Sequence, residues 1–522
     1  MNLQIQHLTL THKQDGRELL RDFSFVLNPG DRAALIGEEG DGKSTLLKWI
    51  ADPALVESYA EYSGRIIKNG LRPGYLAQEL TEKQKETPVF RLTAGADGPG
   101  LSAAARRLRL SPGLLRSGRP AGTLSGGEKV KLQLALILAR EPDFLLLDEP
   151  SNDLDLETLQ WLETFLNTCG IPALYVSHDE TLLENTANVI VHLEQLRRKT
   201  VPRCTVARMG YRQYVKERLR LFERQEQLAH KEKSEYEKQQ ERFRRLQSGV
   251  EYRQAHISRG DPHGGKMIKR KMKSVKSMGR RFERQQKAMT ELPDSEDAIL
   301  IQFGENTSIP GGKTVLDFRR DTLEAGGRVL ARGVALHVTG PERIGIIGRN
   351  GAGKTTLLRQ IAGELLPRPD VKAAYMPQDY SELLGGGETP VEFLSVSGEQ
   401  KELTKIRTFL GSMKYTADEM MHGVRDLSGG QKAKLLLLKM ILGGCNVLIL
   451  DEPTRNFSPL SGPVVRSVLR SFGGAVISVS HDRKFLSEVC GKIYRLSETG
   501  LEPFSFPEAK KPPLYKNKTA GT

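Results

Sequence analysis

Gly37-Glu-Glu-Gly-Asp-Gly-Lys-Ser44 and Gly348-Arg-Asn-Gly-Ala-Gly-Lys-Thr355 both fit the pattern GxxxxGK[ST], and the chain around them reads alike. A short apolar run precedes each (AALI at 33–36, IGII at 344–347) and reads as a β-strand. A helical run follows each (TLLKWI at 45–50, TLLRQI at 356–361). Strand, glycine-rich turn and helix start are the context a phosphate-binding loop requires. Gly37, Gly40 and Gly42, or Gly348, Gly351 and Gly353, let backbone N–H groups turn inward on an anion, and the helix N-terminus adds its positive end. Lys43 or Lys354 can then reach terminal phosphates. Ser44 or Thr355 offers a hydroxyl to Mg2+, with Thr45 or Thr356 one place further along the helix. One such match is common by chance; two in matching contexts are not.

The repetition continues downstream. Phe144–Leu147 runs into Asp148-Glu149, and Val447–Leu450 runs into Asp451-Glu452. Both read as buried parallel strands ending in paired acids, the first acid suited to a Mg2+ shell and the second to orienting or activating water. Leu124-Ser125-Gly126-Gly127 and Leu427-Ser428-Gly429-Gly430 each open an amphipathic helix. Each lies 24 positions before its acid pair, which in turn lies 30 positions before His178 or His481 in Ser-His-Asp. Equal spacing in both halves makes this a duplicated domain.

The composition bounds the rest. The 522 residues leave room for roughly three domains. With 38% apolar and 27% charged residues, ordinary globular cores are expected. Apolar runs such as Leu134–Ala139 fall far short of the ~20 residues a bilayer demands. No secretory signal opens the chain, so a cytoplasmic protein is expected. The four cysteines form no CxxC or Cys/His cluster, which argues against a disulfide framework or a zinc site.

The net charge of +14 is local. Residues 203–287 hold 25 Lys/Arg against 10 Asp/Glu, a balance of +15. Such a block reads as an electrostatic footprint for a polyanion. Val215, Phe222, Ala229, Tyr236 and Phe243 recur at seven-residue intervals, as do Ile268, Val275, Phe282 and Met289. One apolar stripe per helix predicts two long antiparallel helices. The companion column (Leu219, Glu226, Lys233, Gln240, Gln247) is mostly polar, so the seam is thin. A helix over 205–247 is expected to be about 65 Å long, with residues 249–265 as the tip. The resulting domains are 1–202, a basic hairpin at 203–292, 293–506, and a short basic tail at 507–522.

The two sets of motifs resemble the nucleotide-binding domains of ATP-binding cassette proteins: Walker A, Q-loop (Gln78 in YLAQ, Gln378 in YMPQ), LSGG signature, Walker B with its glutamate, D-loop and switch histidine, in order and twice. The resemblance implies an α/β fold of two tandem cassettes that close face to face on two ATP molecules. One site would join Gly37, Gly40, Gly42, Lys43, Ser44, Thr45, Gln78, Asp148, Glu149 and His178 to Ser428, Gly429 and Gly430. The other would join Gly348, Gly351, Gly353, Lys354, Thr355, Thr356, Gln378, Asp451, Glu452 and His481 to Ser125, Gly126 and Gly127. Mg2+ would be held by Ser44, Gln78 and Asp148, or by Thr355, Gln378 and Asp451. Glu149, Glu452, His178 and His481 would be catalytic. His12 falls near the family's adenine-stacking aromatic.

Tandem cassettes joined by a basic helical hairpin are similar to the F subfamily. Those proteins bind the ribosome at the tRNA exit site, and their linker reaches toward the P-site tRNA and the peptidyl-transferase centre. The second D-loop, Thr454-Arg-Asn-Phe-Ser-Pro459, looks like that of antibiotic-resistance members acting against pleuromutilins, lincosamides and streptogramin A. The resemblance thus implies an ATPase, monomeric and without a membrane partner, that protects a bacterial-type 70S ribosome, touching 23S rRNA and tRNA. Tyr252, Arg253, His256 and Arg259 at the tip and Lys269, Arg270, Lys271 and Lys273 along the second helix are the candidate RNA contacts. Alternatives are a translation factor of the same subfamily that relieves stalled ribosomes, the ATPase component of a membrane exporter, and a DNA-repair cassette ATPase.

Overall fold

A computed structural model describes residues 2–96, 99–256, 262–287, 290 and 307–506. It divides the chain into two compact units. Residues 1–211 and 296–522 form one and residues 212–295 the other.

The larger unit contains two copies of one architecture. In the first, a six-stranded sheet runs Pro73–Leu76, Phe144–Leu147, Ala173–Val176, Arg32–Ile36, Val189–Gln195, Val201–Ala207. In the second, the equivalent order is Ala373–Met376, Val447–Asp451, Ala475–Val479, Arg343–Ile347, Lys492–Ser497, Gly500–Phe504. All neighbours pair in parallel except the last strand of each sheet. The inner strands are apolar apart from Ser478 and the terminal Asp451 and are buried along their length, as strands covered on both faces must be. A smaller antiparallel sheet flanks each copy: Glu18–Leu27, Leu3–His12 and Ala60–Ile67 in the first, Thr314–Ala325 and Arg328–Thr339 in the second. The strand Val201–Ala207 completes the first sheet. The first domain therefore continues past residue 202, and residues 205–207 are strand where the seven-residue pattern places a helix start.

The smaller unit is the hairpin. Its helices are Tyr211–Ala255, about 68 Å long at 1.5 Å per residue, and Pro262–Lys287. They run antiparallel. Phe282 packs edge-on against Tyr236 and Phe243, with centroids 6.0 and 5.2 Å apart, and Thr290 N–H donates to Glu232 at 2.7 Å. Ala229, Tyr236 and Val275 are buried, so the expected apolar column forms the seam. The companion column matches the expected one at Gln240 and Gln247, which are half-buried, and differs from it earlier in the helix. Arg218, Gln225 and Glu232 turn inward with it, whereas Leu219 is 46% exposed. The Arg218 guanidinium lies over the Phe222 ring at 4.5 Å, so its long stem covers apolar surface where a shorter side chain would not reach.

Residues 249–255 continue the first helix and are not part of a turn. Side-chain hydrogen bonds four residues apart lie along it, Gln247 Nε2 to Glu251 at 2.9 Å and Ser248 Oγ to the Arg244 carbonyl at 2.8 Å. Tyr252 is exposed and stacks on His256, with centroids 4.2 Å apart. Lys269, Arg270, Lys271 and Lys273 are exposed on the second helix. Arg259, the Arg253 side chain, Met289 and residues 507–522 lie outside what is described.

Among the described residues no helix is long and apolar enough to cross a membrane. All four cysteines are free.

Candidate nucleotide sites

Both P-loops sit where strand meets helix. The strands Arg32–Ile36 and Arg343–Ile347 lead to helices Lys43–Ala51 and Lys354–Leu365. Gly42 and Gly353 take the N-cap positions with φ of 89° and 94°, a left-handed turn that side chains resist. The two lysines behave alike. Lys43 Nζ donates to the carbonyls of Gly37 and Glu38 at 3.1 and 2.8 Å, and Lys354 Nζ to those of Gly348 and Arg349 at 2.9 and 3.1 Å. Ser44 Oγ donates to Asp148 at 2.9 Å. Asp148 is pushed up to about 6, chiefly by burial and against the Ser44 hydrogen bond. Asp451 is also raised by burial, with Thr355 and Lys354 opposing, and neither of its buried oxygens makes a hydrogen bond of normal geometry.

Glu149 and Glu452 follow these acids with φ of 50° and 52°, a strained left-handed conformation at matching positions in both copies. Around Glu149 two amide donors converge, Gln78 Nε2 at 3.0 Å and Asn152 Nδ2, and His178 Nε2 stands 3.4 Å away. Burial alone would raise its pKa, but His178, Lys43 and Asn152 hold it at about 2. Glu452 accepts the His481 backbone N–H at 3.2 Å, while His481 Nε2 stands 3.7 Å away. Burial pushes Glu452 up to about 8 and His481 down to about 3.

The signature helices Gly126–Leu138 and Gly429–Leu442 start with capping boxes, Ser125 with Glu128 and Ser428 with Gln431. Their glycines are sterically required. A Cβ on Gly126 would stand 2.3 Å from the Asp153 carbonyl, and one on Gly430 2.8 Å from that of Asn456.

The two copies face each other. His178 Nδ1 donates to the Phe457 carbonyl of the opposite D-loop at 2.8 Å. Asn350 donates to the Asp153 carbonyl, and Arg455 pairs with Asp153 at 3.0 Å. A cavity of about 830 Å³ is lined by Gly351, Lys354, Thr355, Thr356, Gln378, Asp451, Glu452 and His481 of the second copy and by Gly126, Asn152 and Asp153 of the first. The second P-loop and Gly126 of the first signature thus line one cavity, which also reaches Gln78, Glu149 and His178 of the first copy. At the other P-loop, Glu39 accepts from the Gly430 N–H at 2.6 Å, which brings the first P-loop to the second signature. His12 is bonded to Asp15 at 2.9 Å.

A buried ionic network also joins the copies just beyond the switch histidines, and no motif in the chain marks it. Arg466 bonds Glu180, Lys484 bonds Glu180 and Glu184, and Arg483 bonds Glu163. The partners lie 286 to 320 residues apart.

Orphaned acid oxygens, a glycine-lined loop, a lysine amine over it and a cavity of this size fit a nucleoside triphosphate with Mg2+. Two facing units of this kind define an ATP-binding cassette ATPase. The ABC transporter family model matches residues 20–152 and 331–455, one segment in each copy. The chain is 28% identical to the probable ATP-binding protein YheS of Escherichia coli K12, over 94% of this chain and 78% of that one. It is 25% identical to ABC transporter F family member 5 of Arabidopsis thaliana, over 94% and 74%. A similar solved structure is the archaeal ribosome recycling factor aABCE1 in complex with the stalk protein aP1, with a TM-score of 0.59, 19% identity, and 95% and 89% coverage. The chain carries two ATP-binding cassette ATPase domains, hydrolyses ATP with Mg2+ as cofactor, and over 94% of its length is similar to a member of the F family.

Proposed function

We propose that the protein is a ribosome-binding factor whose grip is set by ATP, and that it shields the peptidyl-transferase centre of a bacterial-type 70S ribosome from antibiotics. The observation that carries this reading is the hairpin. A two-helix rod with a +15 balance over residues 203–287 and a narrow seam uses little surface for packing and presents the rest as charge. RNA walls are bound through backbone charge and shape, which suits such a rod. A fold neighbour of the cassettes is described as ribosome-bound archaeal Pelota and ABCE1. The NFSP form of the second D-loop favours protection over a general translation role. The exporter reading leaves the basic hairpin without a task.

In this account ATP completes both composite sites, with Ser44, Gln78 and Asp148, or Thr355, Gln378 and Asp451, placed to hold Mg2+. The bound Mg2+ supplies charge neutralisation on the phosphates. Glu149 and Glu452 would orient a water and take its proton, and His178 and His481 would hold those glutamates in place. Signature residues Ser125–Gly127 and Ser428–Gly430 present helix N-termini to the terminal phosphates. One chain supplies both halves of both sites, so a monomer suffices.

Charge reversal at Lys269, Arg270, Lys271 and Lys273 tests the rod. Affinity for purified 70S particles is expected to fall and its salt slope to flatten by about one for each phosphate that is no longer neutralised, with ATP affinity intact. Unchanged binding would remove the polyanion reading. Drug susceptibility of a bacterial host expressing the protein separates protection from relief of stalled ribosomes.

A further inference from the structure

The two P-loops differ most in charge. The second carries Arg349, Asn350 and Ala352 where the first carries Glu38, Glu39 and Asp41. Asn350 has an amide hydrogen to give and donates it to the Asp153 carbonyl of the opposite D-loop. Glu39 stands at the matching position, and a carboxylate has no hydrogen to offer a carbonyl. It turns instead to the second signature helix and accepts the Gly430 N–H at 2.6 Å. Its two oxygens also lie 3.2 and 3.4 Å from where a Cβ of Gly429 would stand. Glu38 beside it pairs with Lys434 at 3.5 Å and Lys414 at 4.0 Å. Lys131, the counterpart of Lys434 in the first signature helix, lies over the Trp161 ring instead. The acidic P-loop is thus fastened to the facing signature helix by bonds of a kind the second P-loop, with Arg349 and Asn350, does not make.

Backbone N–H groups in the first turn of a helix are unpaired within the helix and accept an anion. We propose that Glu39 is an internal anion that occupies the terminal-phosphate seat on the second signature helix, so that the first site closes without nucleotide and ATP must displace the carboxylate to enter. The inference rests on assigning Ser428–Gly430 to the first composite site. It also makes the second site, with Asn350 at the equivalent place, the first to load.

Two measurements test it. In a Lys354→Ala background, which leaves the first site, the affinity for a non-hydrolysable ATP analogue with Mg2+ is expected to rise roughly tenfold on Glu39→Asn; equal affinities would overturn the proposal. A Lys43→Ala control reports the second site, and its failure to bind would instead strike the nucleotide assignment. The second measurement needs no nucleotide. Spin labels at exposed positions, one on each cassette, should show a closed distance in the nucleotide-free protein that lengthens on Glu39→Ala. Identical distance distributions would contradict a seat held by Glu39.

Discussion

Glu149 and Glu452 end equivalent strands in the same left-handed conformation, yet one is held by three side chains and the other by a single backbone N–H. The difference traces to the D-loops. Asn152 donates to Glu149, its near neighbour. At the matching place the second half has Arg455, which reaches across to Asp153. The switch histidines follow suit: His178 Nδ1 bonds Phe457, whereas His481 Nδ1 is buried with no hydrogen-bond partner among the described residues. Arg455 therefore ties the halves together and leaves its own glutamate less supported. Repeating a motif repeats the chemical groups, but the neighbours set how firmly each group is held.

Turnover is the largest effect by which this comparison can be broken. Replacing both glutamates by Gln should lower steady-state ATP hydrolysis by about 10²–10⁴-fold, the usual worth of a positioned general base. Of the single variants, Glu149→Gln should cost more than Glu452→Gln, and equal losses would erase the distinction between the sites. Next in size is the interface network. Arg466→Ala leaves Glu180 buried with only Lys484 to compensate it, which should destabilise the cassette unit by about 3 kcal/mol in denaturant melts. In the hairpin, Phe282→Ala removes the half-buried ring that meets both Tyr236 and Phe243. Local opening should become easier by about 2 kcal/mol, read as faster amide exchange confined to residues 229–250 and 272–282. The smallest effect should come from Arg455→Asn. It gives Glu452 an amide donor and should raise second-site turnover a few-fold in a Lys43→Ala background. The surface pair with Asp153 that it removes is worth at most about 1 kcal/mol.

The elements of the proposed nucleotide sites were legible because their chemistry restricts the residue. Only glycine tolerates the turn at Gly42 or the approach of Asp153 to Gly126, and only an acid at the end of a buried strand suits Asp148. Equal spacing marked the second half as a copy of the first, and the two six-stranded sheets share one strand order. What stayed hidden depends on distance in the chain. Glu180 and Arg466 are ordinary helix residues until the cassettes meet, and nothing in either local pattern marks them as partners. In the hairpin, the seven-residue column was readable from its apolar residues. Its companion was readable only at Gln240 and Gln247, because earlier in the helix Arg218 serves through its methylene stem while Leu219 faces solvent. The helix also runs through Gly249, a residue type that often ends one. Glu39 and Arg455 were visible as departures between the halves, but their consequences needed the geometry.

The most direct test of an ATP-set grip on the ribosome is sedimentation of the Glu149→Gln/Glu452→Gln protein with bacterial 70S particles through sucrose. Comigration with 70S is expected when ATP is present, and release when ATP is omitted or salt is raised. Protein that remains at the top of the gradient with ATP at low salt would contradict such a grip, leaving an ATPase whose basic hairpin serves some other partner.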